Sequence, residues 1–279
     1  MCQEVITKFC KITGMDPDDP MSWMEHIPDN GFIDIWHTAT YYAMREDPRF
    51  YSIFAQLTRQ PRLLVSLDRV CWKTPRYVSV IKDGEPTEIE LPSRGLKVHT
   101  DMNLWYDLEQ PSFQAGIALE DCLENAGGFA CLPGFHKLAT IDKFRNDFES
   151  GKYNKGHPQI PPNQTRQFNF FPDEDAELVE VPLRQGDVVV WSSRLPHCNR
   201  LNEGRGWRKH CYIRYIPADL NPSYAKVIKT ASLTGQKPSH FSTGNKTGPQ
   251  SKTECHNHKA PQLTPLGKRL LGHTAWEIL

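Results

Sequence analysis

None of the eight cysteines forms a C-x-x-C pair, no apolar run approaches the roughly eighteen residues of a membrane helix, and neither sign of charge prevails. Each absence removes a class of protein. Without paired cysteines there is no zinc ribbon, and a chain of 279 residues can bury enough core to need no disulfide framework, so the thiols are read as reduced. Without a long apolar run, or a basic and then apolar leader, no membrane partner is expected. With 33 Lys plus Arg against 33 Asp plus Glu, no general field draws in DNA, RNA or an anionic membrane. The expectation is a cytoplasmic protein with no nucleic-acid partner, which meets a small-molecule substrate at a local site.

What is present changes character along the chain. Over 31–59 the apolar and aromatic residues Phe32, Trp36, Met44, Phe50, Phe54 and Leu57 recur at helical spacing, interrupted at Pro48, which predicts two packed helices. From 61 onward the runs are short and β-rich, at 63–70, 77–81, 96–102, 113–119, 128–132, 178–183, 187–192 and 210–216, with turn residues between them. That pattern predicts antiparallel strands in a sandwich or barrel. A polar helix is expected over 141–153 and an insertion or lid over 155–168. A turn-rich, mobile tail is expected over 239–259, in which Cys255, His256 and His258 lack a fourth zinc ligand at a usable spacing. The segment 263–276 turns apolar again and is expected to dock back. The whole reads as a single domain over 1–279, with a helical part to residue 60 and a β core over 61–220.

The chemistry concentrates at HTD, 99–101. On a strand, side chains alternate, so His99 and Asp101 share a face while Thr100 and Met102 take the other. An imidazole and a carboxylate on one face are two thirds of a facial triad, and a second imidazole would complete a site suited to Fe(II) with three positions left open. His197 is the strongest candidate: it follows the turn and buried run GDVVVW at 186–191 and lies 197 − 101 = 96 positions beyond Asp101. His136 follows a Pro-Gly turn and His210 lies within the last strand, so both fit less well. The competing reading is a surface histidine bonded to a carboxylate.

Five motifs in order, HTD at 99–101, FQAGIALEDC at 113–122, NAGGFACLPGFHK at 125–137, GDVVVWSSRLPHCN at 186–199 and GWRKHCYIRY at 206–215, resemble the phytanoyl-CoA dioxygenase family of Fe(II)- and 2-oxoglutarate-dependent oxygenases. The resemblance implies a mainly β fold with flanking helices, a cupin-like double-stranded β-helix or jelly roll. It also implies iron on His99, Asp101 and His197, and hydroxylation of a small molecule with dioxygen and 2-oxoglutarate as co-substrates and succinate and carbon dioxide as products. Phe135, in PGFH, departs from the small residue usual before that histidine, which argues against phytanoyl-CoA itself as substrate.

The distal carboxylate of 2-oxoglutarate needs a buried cation, and an arginine fork suits it. Four arginines follow His197: Arg200 and Arg205 lie in the turn-forming NRLNEGRG, whereas Arg208 and Arg214 are expected at opposite ends of the last strand. Arg208, at 208 − 197 = 11 positions beyond the distal histidine, stands where the family keeps its anchor. Gln114, on a face with the small Gly116 and Ala118, is expected to touch the co-substrate, as in relatives. Trp105 and Tyr106 are candidates for a wall of the substrate mouth; Lys73, in CWKTP, either approaches the co-substrate pocket or, the favoured reading, is a surface residue beside a proline turn. A non-catalytic sensor that keeps the site, and a cupin-like metalloenzyme that does without 2-oxoglutarate, are the alternatives. Only the second has no need of Arg208.

Overall fold

The computed structural model describes residues 2–16, 18–23, 25–28, 30–92, 95–105, 111–152, 178–220, 222–238 and 257–277. Helices α1 (Cys2–Thr13), α2 (Pro20–Trp23), α3 (Ala39–Arg45) and α4 (Pro48–Thr58) precede the strands. There follow β1 (Leu63–Val65), β2 (Val70–Lys73), β3 (Tyr77–Lys82), β4 (Glu85–Glu90), β5 (Phe113–Ala118) and β6 (Phe129–Cys131). Next come α5 (Leu138–Glu149), β7 (Val179–Glu180), β8 (Val188–Ser192), β9 (His197–Asn199), β10 (Arg208–Pro217), α6 (Pro222–Thr234) and α7 (Pro265–Leu270).

The longest strand, β10, is the spine. It pairs antiparallel with β5 on one side and with both β1 and β2 on the other, and β8 extends the sheet beyond β5. The second sheet is β7-β6-β9, also antiparallel, and β3 and β4 form a separate hairpin. Alternation along β10 gives the sheet two different faces. Cys211, Ile213 and Tyr215 join the large core shared with Phe54, Ile228 and Leu270 from the helices, while Tyr212 joins Cys71, Phe129, Cys131 and Trp191 between the sheets. Two antiparallel sheets face to face, with helices against the outside of the larger one, make a jelly roll.

The strand expected over 63–70 is one strand cut in two. Leu63 pairs with Pro217 and Val65 with Tyr215, but Val70 pairs with Cys211. Four residues, 66–69, therefore face three, 212–214, which is a β-bulge. The expected helical spacing holds for α3 and α4 on either side of Pro48, which occupies the first turn of α4 behind the Asp47 cap. It fails before α3, where Phe32 bridges Cys71 and the Ile33 N–H donates to Val70 O at 3.1 Å, so sheet pairing overrides helix periodicity there. Gly31 begins this stretch at φ +77°, with Trp72 O only 2.3 Å from where a Cβ would sit. The run 96–102 forms no strand; His99 and Thr100 are bridge residues, His99 paired with His197. The helix expected at 141–153 begins earlier, at Leu138. The expected lid and most of the expected tail fall outside the described residues. The returning segment docks on β1, with Trp276 Nε1 donating to Leu63 O at 2.9 Å. Among the described residues no helix is long and apolar enough to cross a membrane.

The outer core carries the stability. Phe54 is fully buried with its ring 4.7 Å from that of Tyr215, so Phe54→Ala should cost about 3–5 kcal/mol in denaturant unfolding. Ile81, 72 % exposed on β3, is the matched control, and Ile81→Ala should unfold at the wild-type midpoint.

Candidate metal centre

His99 and His197 face each other as an isolated antiparallel bridge, exchanging N–H to O bonds of 3.0 and 2.9 Å. Directly opposed residues project to the same side of the sheet, so the backbone itself brings the two rings together, 4.6 Å apart between centroids. Asp101 lies two residues beyond His99, and its N–H is held by Ser193 O at 3.0 Å. One ligand atom from each of the three residues lies within 4.8 Å of the others. The carboxylate oxygens are 3.7 Å from His99 Nε2 and 3.5 Å from His197 Nε2, longer than hydrogen bonds, so the three groups surround a gap rather than bonding to each other.

Both imidazoles are set in the form a metal requires. His99 Nδ1 lies 2.8 Å from Lys97 O and His197 Nδ1 2.9 Å from Leu195 O. A carbonyl accepts only from N–H, so each Nδ1 carries the proton and each Nε2 turns its lone pair toward Asp101. Burial pushes the His197 pKa down, against the pull of Asp101 and with a smaller push from His99, which favours the neutral ring. Trp191 Nε1 donates to Asp101 Oδ2 at 3.1 Å, and the Gln114 amide nitrogen donates to the same oxygen. Oδ2 is thereby engaged by two donors while Oδ1 is left to bind an ion. The donor set, the tautomers and the gap all fit a divalent first-row metal.

Deeper between the sheets, Arg208 is 1 % exposed and meets no carboxylate among the described residues. Its Nη2 donates to Asn199 Oδ1 at 2.8 Å and Tyr212 OH at 2.9 Å and lies 2.9 Å from His210 Nδ1, while Nη1 lies 3.3 Å from Cys71 Sγ. Its Nε and the Nε2 of His210 are buried without an acceptor or donor. Burial, reinforced by the guanidinium, drives His210 down to about 2, and burial raises Tyr212 to about 12 against the pull of Arg208, so both are neutral.

The sequence reading of Lys73 as a surface residue is overturned. Register places it directly opposite Arg208, and it is 1 % exposed, donating to Asn199 O at 3.3 Å and Arg200 O at 2.6 Å. Burial lowers its pKa to about 8. A buried cation with no anion among the described residues is costly, and here two stand opposite each other.

Gln114 stands beside the metal ligands through its bond to Asp101. Trp105 packs edge-on against Phe144 and Phe148 of α5, with Nε1 3.3 Å from Glu149 Oε1, and Tyr106 lies outside the described residues. Arg214 does not end the last strand, which runs on to Pro217. Trp191, Asn199 and Tyr212 were missed. Alternation could have found two of them, since Asn199 shares a face with His197 and Tyr212 with Arg208.

Asp101→Ala and His197→Ala should each abolish stoichiometric Fe(II) binding in anaerobic equilibrium dialysis. Trp191→Phe keeps the ring packing against Phe129 and His197 but loses the N–H, and should weaken Fe(II) by roughly tenfold or more. Wild-type affinity in that variant would show that the indole does not orient the ligand.

Known proteins resemble this chain in sequence and in fold. The family model described as Phytanoyl-CoA dioxygenase (PhyH) matches residues 33–210, a span that holds His99, Asp101, His197 and Arg208. A Dictyostelium discoideum protein named provisionally as a phytanoyl-CoA dioxygenase is 24% identical over 196 residues, 62% of this chain and 52% of that one, so the chain spans about half the length of this relative. The structure of GlcNAc Inducible Gene 2 from Candida albicans superposes with a TM-score of 0.67 at 16% identity, covering 99% of this chain and 71% of that one. A hypothetical protein from Escherichia coli gives 0.64 at 17% identity, covering 97% and 75%. Those two likenesses show the jelly-roll fold. The family model covers well over half of the sequence, and the chain belongs to the phytanoyl-CoA dioxygenase family.

Proposed function

We propose that the protein is an Fe(II)- and 2-oxoglutarate-dependent dioxygenase that hydroxylates a small-molecule substrate with release of succinate and carbon dioxide. The observation that carries this reading is Arg208: a guanidinium 1 % exposed, without a carboxylate among the described residues, on the strand that lies behind the His99, Asp101 and His197 cluster. A metal site alone has no use for it. A keto acid with a second carboxylate does.

Iron and 2-oxoglutarate, when bound, supply the oxidising chemistry with dioxygen that no amino-acid side chain provides. The remaining tasks belong to this chain. His99, Asp101 and His197 would hold the ion. Trp191 and Gln114 fix the Asp101 carboxylate through Oδ2, and Gln114 is also placed to meet the co-substrate. Arg208 receives the distal carboxylate, and Asn199 and Tyr212 hold its fork in orientation. Lys73 fastens the carbonyls of Asn199 and Arg200 at the end of β9 and adds positive potential beside the anchor. Trp105, braced on α5, would form part of the substrate wall.

Replacing Arg208 by alanine should weaken 2-oxoglutarate by an amount on the order of 3–5 kcal/mol, or roughly two to three and a half orders of magnitude. Lysine should restore part of it, and Fe(II) affinity should hardly change. Arg205, 73 % exposed and paired with Glu88 at 2.5 Å, is the matched control, so Arg205→Ala should be near neutral. Anaerobic titration of 2-oxoglutarate into the Fe(II) protein, followed by the visible absorption of the chelate, reads all three variants. Unchanged affinity in Arg208→Ala would refute the co-substrate anchor and favour a metalloprotein that does without 2-oxoglutarate. Oxygen-dependent succinate formation from the wild type separates turnover from sensing. Cys198 alternates away from His197 toward Ala130, so Cys198→Ser should keep its iron and at least part of its turnover; loss of iron in that variant would sink the ligand set.

A further inference from the structure

A cavity of about 580 Å³ lies at the end of the larger sheet remote from Arg208. Its walls include Phe113, Arg194 and Arg214, and the two arginines lie next to groups that position Asp101. Arg214 stands directly opposite Gln114, the residue that holds Asp101, and in an antiparallel pair that places their Cα atoms about 4.5–5.5 Å apart. Arg194 follows Ser193, whose carbonyl accepts the N–H groups of Asp101 and Met102 at 3.0 and 3.3 Å. From Arg208 to Arg214 is six positions, roughly 20 Å of strand, so this cavity is not the co-substrate anchor.

Three arginines meet here from three separate parts of the sequence. Arg59 is the left-handed C-cap of α4, Arg194 lies in the turn between β8 and β9, and Arg214 lies on β10. The acidic residue on the same wall, Asp219, is bound to Arg62 at 2.7 Å. Asp68, which acts electrostatically on Arg214, is held by its neighbour Arg69 at 3.8 Å. Among the described residues neither Arg59 nor Arg214 has a salt-bridge partner. Leu57 and Phe113 add apolar surface between the charges. The volume falls within the range of about 300–1,000 Å³ typical of small-molecule sites.

We infer that this cavity receives an oxyanionic group, a carboxylate or a phosphate, carried by the substrate that is oxidised at the metal. The inference rests on the oxygenase reading for the word substrate. It narrows that substrate to an organic acid or phosphate ester with an apolar body, and excludes neutral hydrocarbons and cations. Arginine forks match both oxyanions in geometry and charge, and the apolar wall between them suits the body that carries the group.

The test uses the full chain loaded with Mn(II), with saturating 2-oxoglutarate so that Arg208 is occupied. Inorganic phosphate and acetate are titrated separately, followed by Mn(II)-induced relaxation of the ³¹P and ¹³C signals, and by calorimetry on the metal-free protein with 2-oxoglutarate kept in excess. Saturable binding with Mn(II)-dependent relaxation is expected for one or both probes, and the stronger arm separates phosphate ester from carboxylic acid. Arg214→Gln should weaken it by roughly tenfold or more, Arg214→Lys by less, and Arg205→Gln not at all. Unsaturable binding, or equal affinity in wild type and Arg214→Gln, overturns the site. Binding lost in Arg214→Gln but without relaxation in a protein that holds Mn(II) keeps an oxyanion site and overturns its assignment to the substrate. If Mn(II) does not bind, the metal reading fails by itself, and the calorimetric comparison still decides whether Arg214 holds an oxyanion.

Discussion

Two backbone hydrogen bonds, exchanged between His99 and His197, are the constraint on which the candidate centre depends. They join residues 197 − 99 = 98 positions apart and settle, before any side chain is considered, that both rings leave the same face. The bridge is short, so its neighbours maintain it. His197 is paired on its other side with Cys131, and the Leu96 N–H donates to Asn199 O at 2.8 Å. Asp101 is then placed by Ser193 O and aimed by Trp191 and Gln114. The geometry of the candidate centre is thus a main-chain property refined by side chains, which suits a preformed site.

β10 extends the same logic along the sheet. Its register sets Arg208 against Lys73 and Arg214 against Gln114, so one strand presents a buried cationic position at one end and a second cationic position at the end shared with Asp101. Tyr212 lies between them, its hydroxyl accepting from Arg208 Nη2 and donating to Asn199 Oδ1. The two ends differ in what surrounds them. Arg208 is enclosed by Cys71, Asn199, His210 and Tyr212 with Lys73 opposite, whereas Arg214 lines a cavity whose walls also include Leu57 and Phe113.

Much of this is legible in the chain because strand alternation is a local rule. HTD and PHCN each state which residues share a face, and the bulky run GDVVVW marks the strand that delivers the second histidine. What was not legible depends on pairing between distant strands. Lys73 looks exposed in CWKTP until register puts it across from Arg208, and no local pattern states that register. Phe32 and Ile33 belong to a run with helical spacing and are nevertheless paired with the sheet at Cys71 and Val70. The sequence shows no basic cluster, because Arg59, Arg194 and Arg214 are dispersed and meet only in the folded chain. β4 was legible and passed over: Asp83 and Gly84, at φ 54° and 86°, form the two-residue hairpin turn that Asp-Gly favours.

The two faces of the larger sheet divide stability from chemistry. Its outer face packs Ile213 and Tyr215 with helix residues such as Phe54 into a continuous apolar core. Between the sheets, Arg208 Nε and His210 Nε2 are buried without partners, and Lys73 is held with its pKa drawn down to about 8. Each of those features costs folding free energy, and none could be carried by the few apolar residues between the sheets. The outer core offsets them. A fold of this kind can leave a charged, incompletely satisfied interior ready for an anionic ligand because the hydrophobic work is done on the other side of the same strands, one residue out of phase.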